Sequence, residues 1–222
     1  MARRYAAIRE RIARAARRAG RDADAVRVVA VTKYVGVDGV AAALAAGLRD
    51  FGENRVQDAR PKVERFGREA RWHFIGQLQT NKVRYLKDLY FLVHSVDRPR
   101  LAEALSNAAP PGRPQAVLLQ VNVGREPQKG GVAPEELFDL LRFAAGLPGI
   151  RVEGLMAIPP AVADPEAARP YFRMLRELAE RAREASGLPL PELSMGMSGD
   201  FEVAVEEGAT IVRIGRALFV DP

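Results

Sequence analysis

Val26 to Val35 reads VRVVAVTKYV, a run of Val and Ala that ends in a single lysine, Lys33. β-Branched residues without polar alternation predict a strand buried on both faces, as in a parallel sheet. A lysine at the carboxyl end of such a strand stands where barrels and doubly wound sheets place their chemistry. The plain alternative is that Lys33 marks where the strand meets water. The rest of the chain has to decide between the two.

Upstream, Arg3 to Ala19 predicts a helix, with Ile8, Ile12 and Ala15/Ala16/Ala19 on one face and Gly20 as its stop. Downstream, strands and helices alternate. A helix over Val37 to Ala46 leads to a strand over Leu48 to Glu53. A helix over Arg55 to Phe66, with Pro61 standing against its middle, leads to a strand over Trp72 to Gly76. A helix over Lys82 to Leu89 leads to a strand over Tyr90 to Asp97, and a helix over Pro99 to Asn107 leads to a strand over Gln115 to Val123. The helix opening at Pro134 precedes a strand over Ile150 to Ile158, and the long helix Glu166 to Ala185 precedes a strand over Glu192 to Met197. A helix over Phe201 to Glu207 and an eighth strand over Thr210 to Phe219 complete the order. Strict alternation with short connections implies a parallel sheet. Eight units close a (β/α)₈ TIM barrel, here with an extra N-terminal helix and no linker, so residues 1–222 are expected to form one domain. A doubly wound sheet is the other arrangement that fits.

Composition narrows the functions. There is no cysteine, which excludes disulfides, cysteine nucleophiles and Cys-based zinc sites. His73 and His94 are the only histidines, too few for a histidine-rich metal centre. The N-terminus carries charges every two or three residues, unlike a signal peptide, and no stretch is long and apolar enough to span a bilayer. A cytoplasmic, membrane-free and monomeric protein is expected. The formal charge is +6, but the arginines are dispersed among Asp and Glu, so the sequence does not favour nucleic-acid binding.

Polar residues gather at the expected strand ends: Lys33, Glu53 and Asn54, Gln77 and Gln79, His94, Ser95 and Asp97, then Asn122 and Met156. After strand seven comes Ser194-Met195-Gly196-Met197-Ser198-Gly199, and Ile214-Gly215-Arg216 sits at the eighth. Small residues and a hydroxyl before a helix suit a phosphate, and barrels often hold one between the loops after strands seven and eight. An ordinary Gly/Ser turn is the simpler reading of that segment alone. A lysine and a phosphate cradle in one barrel mouth suggest a carbonyl ligand bearing phosphate, because neutral lysine attacks carbonyls and burial or nearby cations favour the neutral form. A sugar phosphate and pyridoxal 5′-phosphate (PLP) both fit.

AVTKY, FGENRVQDA, WHFIGQLQTNK, HSVD, GLMAIPP, LSMGMSGDFEVAVEEGATIVRIG and ALF, in this order, resemble the PLP homeostasis protein family (YggS/PROSC type) over about residues 5 to 220. That family is similar to the N-terminal barrel of alanine racemase without its β-rich second domain. The resemblance implies PLP held as a Schiff base on Lys33 and Arg213 facing the pyridine nitrogen. Ser198, with the backbone at Gly199, Gly215 and Arg216, would cradle the phosphate. Asn54 and Met156 match positions lining the cofactor. An arginine at the ring nitrogen keeps it unprotonated and weakens it as an electron sink, so the resemblance implies PLP homeostasis and delivery to apo-enzymes rather than robust catalysis. A weak amino-acid racemase is the alternative. Arg216 stands where many relatives have Thr or Ser, so a hydroxyl contact is replaced either by backbone N–H alone or by a cation. His73 is expected to be structural. His94 either borders the cofactor or is a hydrogen-bonded strand-end residue. Met195 and Met197 are expected to pack, and Glu53 to anchor hydrogen bonds at the mouth.

Overall fold

The computed structural model describes residues 1–86 and 89–220. Eight strands, each hydrogen-bonded in parallel to the next, close on themselves: β1 (Arg27–Val31), β2 (Asp50–Glu53), β3 (Arg71–Phe74), β4 (Tyr90–Val96), β5 (Gln115–Val121), β6 (Ile150–Ala157), β7 (Glu192–Ser194) and β8 (Ile211–Ile214). β8 returns to β1, with Val29 opposite Arg213. The expected TIM barrel is the fold, and the doubly wound alternative is not.

Around the barrel lie α1 (Ala2–Arg18), α2 (Val37–Ala45), α3 (Val56–Phe66), α4 (Pro99–Ala108), α5 (Leu137–Ala145), α6 (Arg169–Ser186), α7 (Phe201–Glu206) and α8 (Arg216–Phe219). The stripe Ile8, Ile12, Ala15 and Ala16 buries α1 as expected. That helix packs on α7 and α8, with Arg11 donating to Glu202 at 2.7 Å and Arg18 to Glu206 at 2.6 Å.

Strand alternation sorts the core into two layers. Val28 and Ala30 pack outward beneath the helices, in the large cluster. Val29 joins Leu92, Leu118, Met156 and Ile211 in a separate cluster inside the barrel. Side chains on opposite faces of a strand alternate, which is why neighbours in sequence serve different layers.

Several sequence expectations shift, among them the strand expected over Glu192 to Met197, which ends at Ser194. The strand expected over Thr210 to Phe219 ends at Ile214, and Arg216–Phe219 turns helical after Gly215. A short apolar run does not distinguish strand from helix by pattern, and here barrel closure uses only four residues. The helix expected over Lys82 to Leu89 is a 3₁₀ segment, Thr80–Tyr85, in which Val83 is the one buried side chain; residues 87 and 88 of that expectation lie outside the described residues. β1 stops at Val31, so Lys33 lies in the turn beyond it, where the Val35 N–H donates to the Thr32 carbonyl at 2.9 Å. Pro61, which threatened the third helix, sits inside a continuous α3.

Candidate functional site

The loops after β6, β7, β8 and β1 enclose a cleft of about 410 Å³ at the carboxyl ends of the strands. Lys33, Ser198, Gly199, Arg213, Gly215 and Arg216 all line it. Residues far apart in sequence meet here because a closed barrel makes β8 the neighbour of β1. The Lys33 side chain is exposed, so the burial expected for it is not found. Its Nζ lies 5.1 Å from the centre of the Tyr34 ring.

Arg213 forms the floor of the cleft. It is buried on β8, and its Nη1 donates to Ser194 Oγ at 2.7 Å while Nη2 donates to the Ala157 carbonyl at 2.9 Å. Two acceptors from two other strands fix the plane of the guanidinium. Burial pushes its pKa down to about 10, opposed by the charge of Asp200, and it stays protonated at neutral pH.

The loop after β7 is held by its own side chains. The Met197 N–H donates to Asp200 Oδ1 at 2.6 Å, and Ser198 Oγ accepts from the Ala217 N–H of α8 at 3.3 Å. Ser198 thus joins the β7 loop to the β8 loop. Burial raises the Asp200 carboxyl above its ordinary range, against the bond from Met197 and the charge of Arg213. Neither glycine is in a tight approach to its surroundings. A Cβ at Gly199 would meet nothing within 4 Å, and one at Gly215 would meet Val31 at 3.5 Å, an ordinary contact.

Asn54 and Met156 are not among the residues lining this cleft. Met156 is wholly buried in the interior cluster, and the Asn54 Oδ1 is buried with no hydrogen-bond partner. His94 does not line the cleft either; it is a buried, hydrogen-bonded strand residue, the second of its two readings. Met195 packs as expected, whereas Met197 is partly exposed and lines the cleft. Glu53 anchors hydrogen bonds as expected, to Thr32 and Lys62. The sequence reading gave no role to Asp200 or to the wall formed by Pro160, Ala161, Val162, Ala163 and Pro165. The Pro-Pro pair after β6 was the available signal for that wall, since tandem prolines stiffen a loop where the strand ends.

A family model described as "Alanine racemase, N-terminal domain" matches residues 4–222. The chain belongs to that family. It is 47% identical over 218 residues to the pyridoxal phosphate homeostasis protein of Aquifex aeolicus, covering 97% of this chain and 96% of that protein. The structure of PipY from Synechococcus elongatus with PLP bound superposes with a TM-score of 0.82 at 33% identity, covering 98% of this chain and 99% of that one. Alanine racemase from Corynebacterium glutamicum, at 21% identity and a TM-score of 0.71, shares the fold; the match covers 96% of this chain and 60% of that one. The resemblance read from the motifs is borne out. Among the described residues, no helix is long and apolar enough to cross a membrane.

Proposed function

We propose that this protein binds PLP reversibly through Lys33 and serves PLP homeostasis, holding the cofactor and passing it to apo-enzymes. The observation that carries the reading is the meeting of Lys33, Ser198 and Arg213 in one cleft of about 410 Å³. That volume suits a cofactor-sized ligand. The relative from Aquifex aeolicus bears the homeostasis name, and PipY holds PLP. When bound, PLP supplies an aldehyde for a lysine amine and an electron-withdrawing ring.

The residues present fit that group. Lys33 offers the amine. Ser198 offers a hydroxyl beside the backbone of Gly199, Gly215 and Arg216, and no Cβ at the two glycines narrows the space. Arg213 remains a donor at neutral pH and so leaves a ring nitrogen facing it unprotonated, which disfavours carbanion chemistry. Among the described residues lining the cleft, Asp200 is the one carboxylate, and its Oδ1 is occupied by the Met197 N–H. That bond ties the carboxylate to its own loop rather than to Lys33. A cytoplasmic monomer completes the reading, in keeping with a cysteine-free chain.

The test is the visible absorbance spectrum of the purified protein with PLP, followed by borohydride reduction and peptide mapping. A yellow species fixed on Lys33 is expected. A protein that stays colourless with PLP overturns the reading. Steady α-proton exchange on an amino acid, abolished by Lys33→Ala, replaces the carrier with an enzyme.

A further inference from the structure

The interior of the barrel holds a hydrogen-bonded file that neither composition nor motif revealed. Asp50 Oδ1 lies 2.9 Å from His73 Nε2, and His73 Nδ1 lies 2.9 Å from His94 Nε2. His94 Nδ1 lies 2.8 Å from Ser194 Oγ, which accepts from Arg213 at 2.7 Å. The five residues come from β2, β3, β4, β7 and β8, and all are buried. The file crosses the barrel to the guanidinium that floors the cleft.

Its two ends dictate its polarity. A carboxylate only accepts, and a guanidinium only donates. His73 must therefore carry its proton on Nε2, facing Asp50. A neutral His73 then accepts at Nδ1, so His94 donates from Nε2 and accepts at its own Nδ1. Ser194 gives its hydroxyl proton to His94 and accepts from Arg213. With both rings neutral, every group is satisfied in this one arrangement. A proton added to either ring forces His94 to donate to Ser194 and leaves the hydroxyl proton without an acceptor in the file.

We propose that Asp50, His73, His94 and Ser194 are positioning residues, a file of fixed polarity that aims Arg213 at the ring of the bound cofactor from the far end of the barrel. The inference rests on PLP occupying the cleft and goes beyond that reading by assigning four residues outside it.

The surroundings support neutral rings. Burial lowers the pKa of both histidines, His94 well below the ordinary imidazole value. Asp50 favours a proton on His73, while Arg27 on β1 and Arg71 on β3 oppose it. For His94, His73, Arg213 on β8 and Arg27 all oppose a proton. Glu192 on β7 pairs with Arg27 at 3.2 Å, and Arg71 pairs with Asp50 at 2.7 Å, so the lower end is a balanced charge cluster. The Phe91 ring, its centre 5.5 Å from that of His73, offers no proton acceptor to this file.

The experiment has two parts. Nitrogen NMR of the PLP-free protein labelled in histidine should show both rings neutral and in the Nε2–H form at neutral pH; a cationic ring or an Nδ1–H form overturns the file. PLP titrations then compare wild type with Asp50→Asn and with Ser194→Ala. Each variant should shift the visible band of the bound cofactor and weaken PLP binding by about five-fold or more, as expected for a disturbed hydrogen bond to a charged group. Folded variants with wild-type band and affinity overturn the coupling. A wild-type protein that takes no PLP at Lys33 overturns the binding reading and the coupling with it, while the NMR result is read in the PLP-free protein and so separates that failure from a failure of the file's polarity.

Discussion

Lys62 Nζ lies 2.7 Å from Glu53 Oε1, and the same ammonium donates at 2.6 Å to the carbonyl of Thr32, the residue before Lys33. Both side chains are buried. α3 thereby grips the ends of β1 and β2 where the cleft begins. Burial raises the Glu53 carboxyl, outweighing the bonds from Lys62 and Thr32 that lower it. Its second oxygen has no partner. Removing one member of a buried pair strands the other, so Lys62→Met should cost about 3–5 kcal/mol in denaturant unfolding. Glu53→Gln combined with Lys62→Met should recover much of that loss.

The buried histidines make stability depend on acid. Burial holds His94 well below its ordinary value of 6.5, whereas the unfolded chain titrates near that value. Below it, the unfolded state binds a proton that the folded state refuses, so stability falls as pH drops through this range and is fully present above it. Thermal unfolding between neutral pH and pH 5 should show this loss. His94→Gln should flatten the slope.

Gly215 separates fold from binding. Its φ of −110° lies outside the left-handed region that demands glycine, and an added Cβ meets Val31 only at 3.5 Å. Gly215→Ala should change stability by less than about 1 kcal/mol, the usual scale for a substitution without a clash. Because the residue lines the cleft, PLP affinity should fall several-fold in the same protein.

Gly76 behaves differently. A Cβ there would lie 2.2 Å from the Asn54 carbonyl oxygen, a backbone atom with little room to retreat. Gly76→Ala should destabilise by about 1–3 kcal/mol, the range for overpacking. Denaturant midpoints measure it.

Arg216 lines the cleft with an exposed side chain. If its charge meets the phosphate, Arg216→Thr weakens PLP binding at low salt and much less at high salt, because exposed charges are screened. Equal affinities at every salt concentration would leave only the backbone N–H contact.

Much of this was legible in the chain itself. VRVVAV announced a doubly buried strand, and strict alternation with eight units announced a closed barrel. Arg213 was named only through the family resemblance, whereas Lys33, Ser198, Gly199, Gly215 and Arg216 stood out because strand ends in a parallel barrel share one face. These are local signals, carried by hydrophobic period and turn residues. The end of β8 was not legible, because a short apolar run such as Ala217, Leu218 and Phe219 has no period that separates strand from helix.

The wiring inside the barrel was decided by tertiary structure alone. Asp50, His73, His94, Ser194 and Arg213 have no common spacing, and nothing in sequence says that two histidines face each other at 2.9 Å. Lys62 likewise reads as an ordinary helical lysine until α3 turns it inward onto Glu53. Strand direction and residue type are written in short windows of the chain. Which polar groups meet depends on register and on the closing of β8 against β1, contacts that span nearly the whole chain. Period and turn residues therefore point to eight alternating units with polar strand ends, while barrel closure and the polarity running through its core exist only once β8 has met β1.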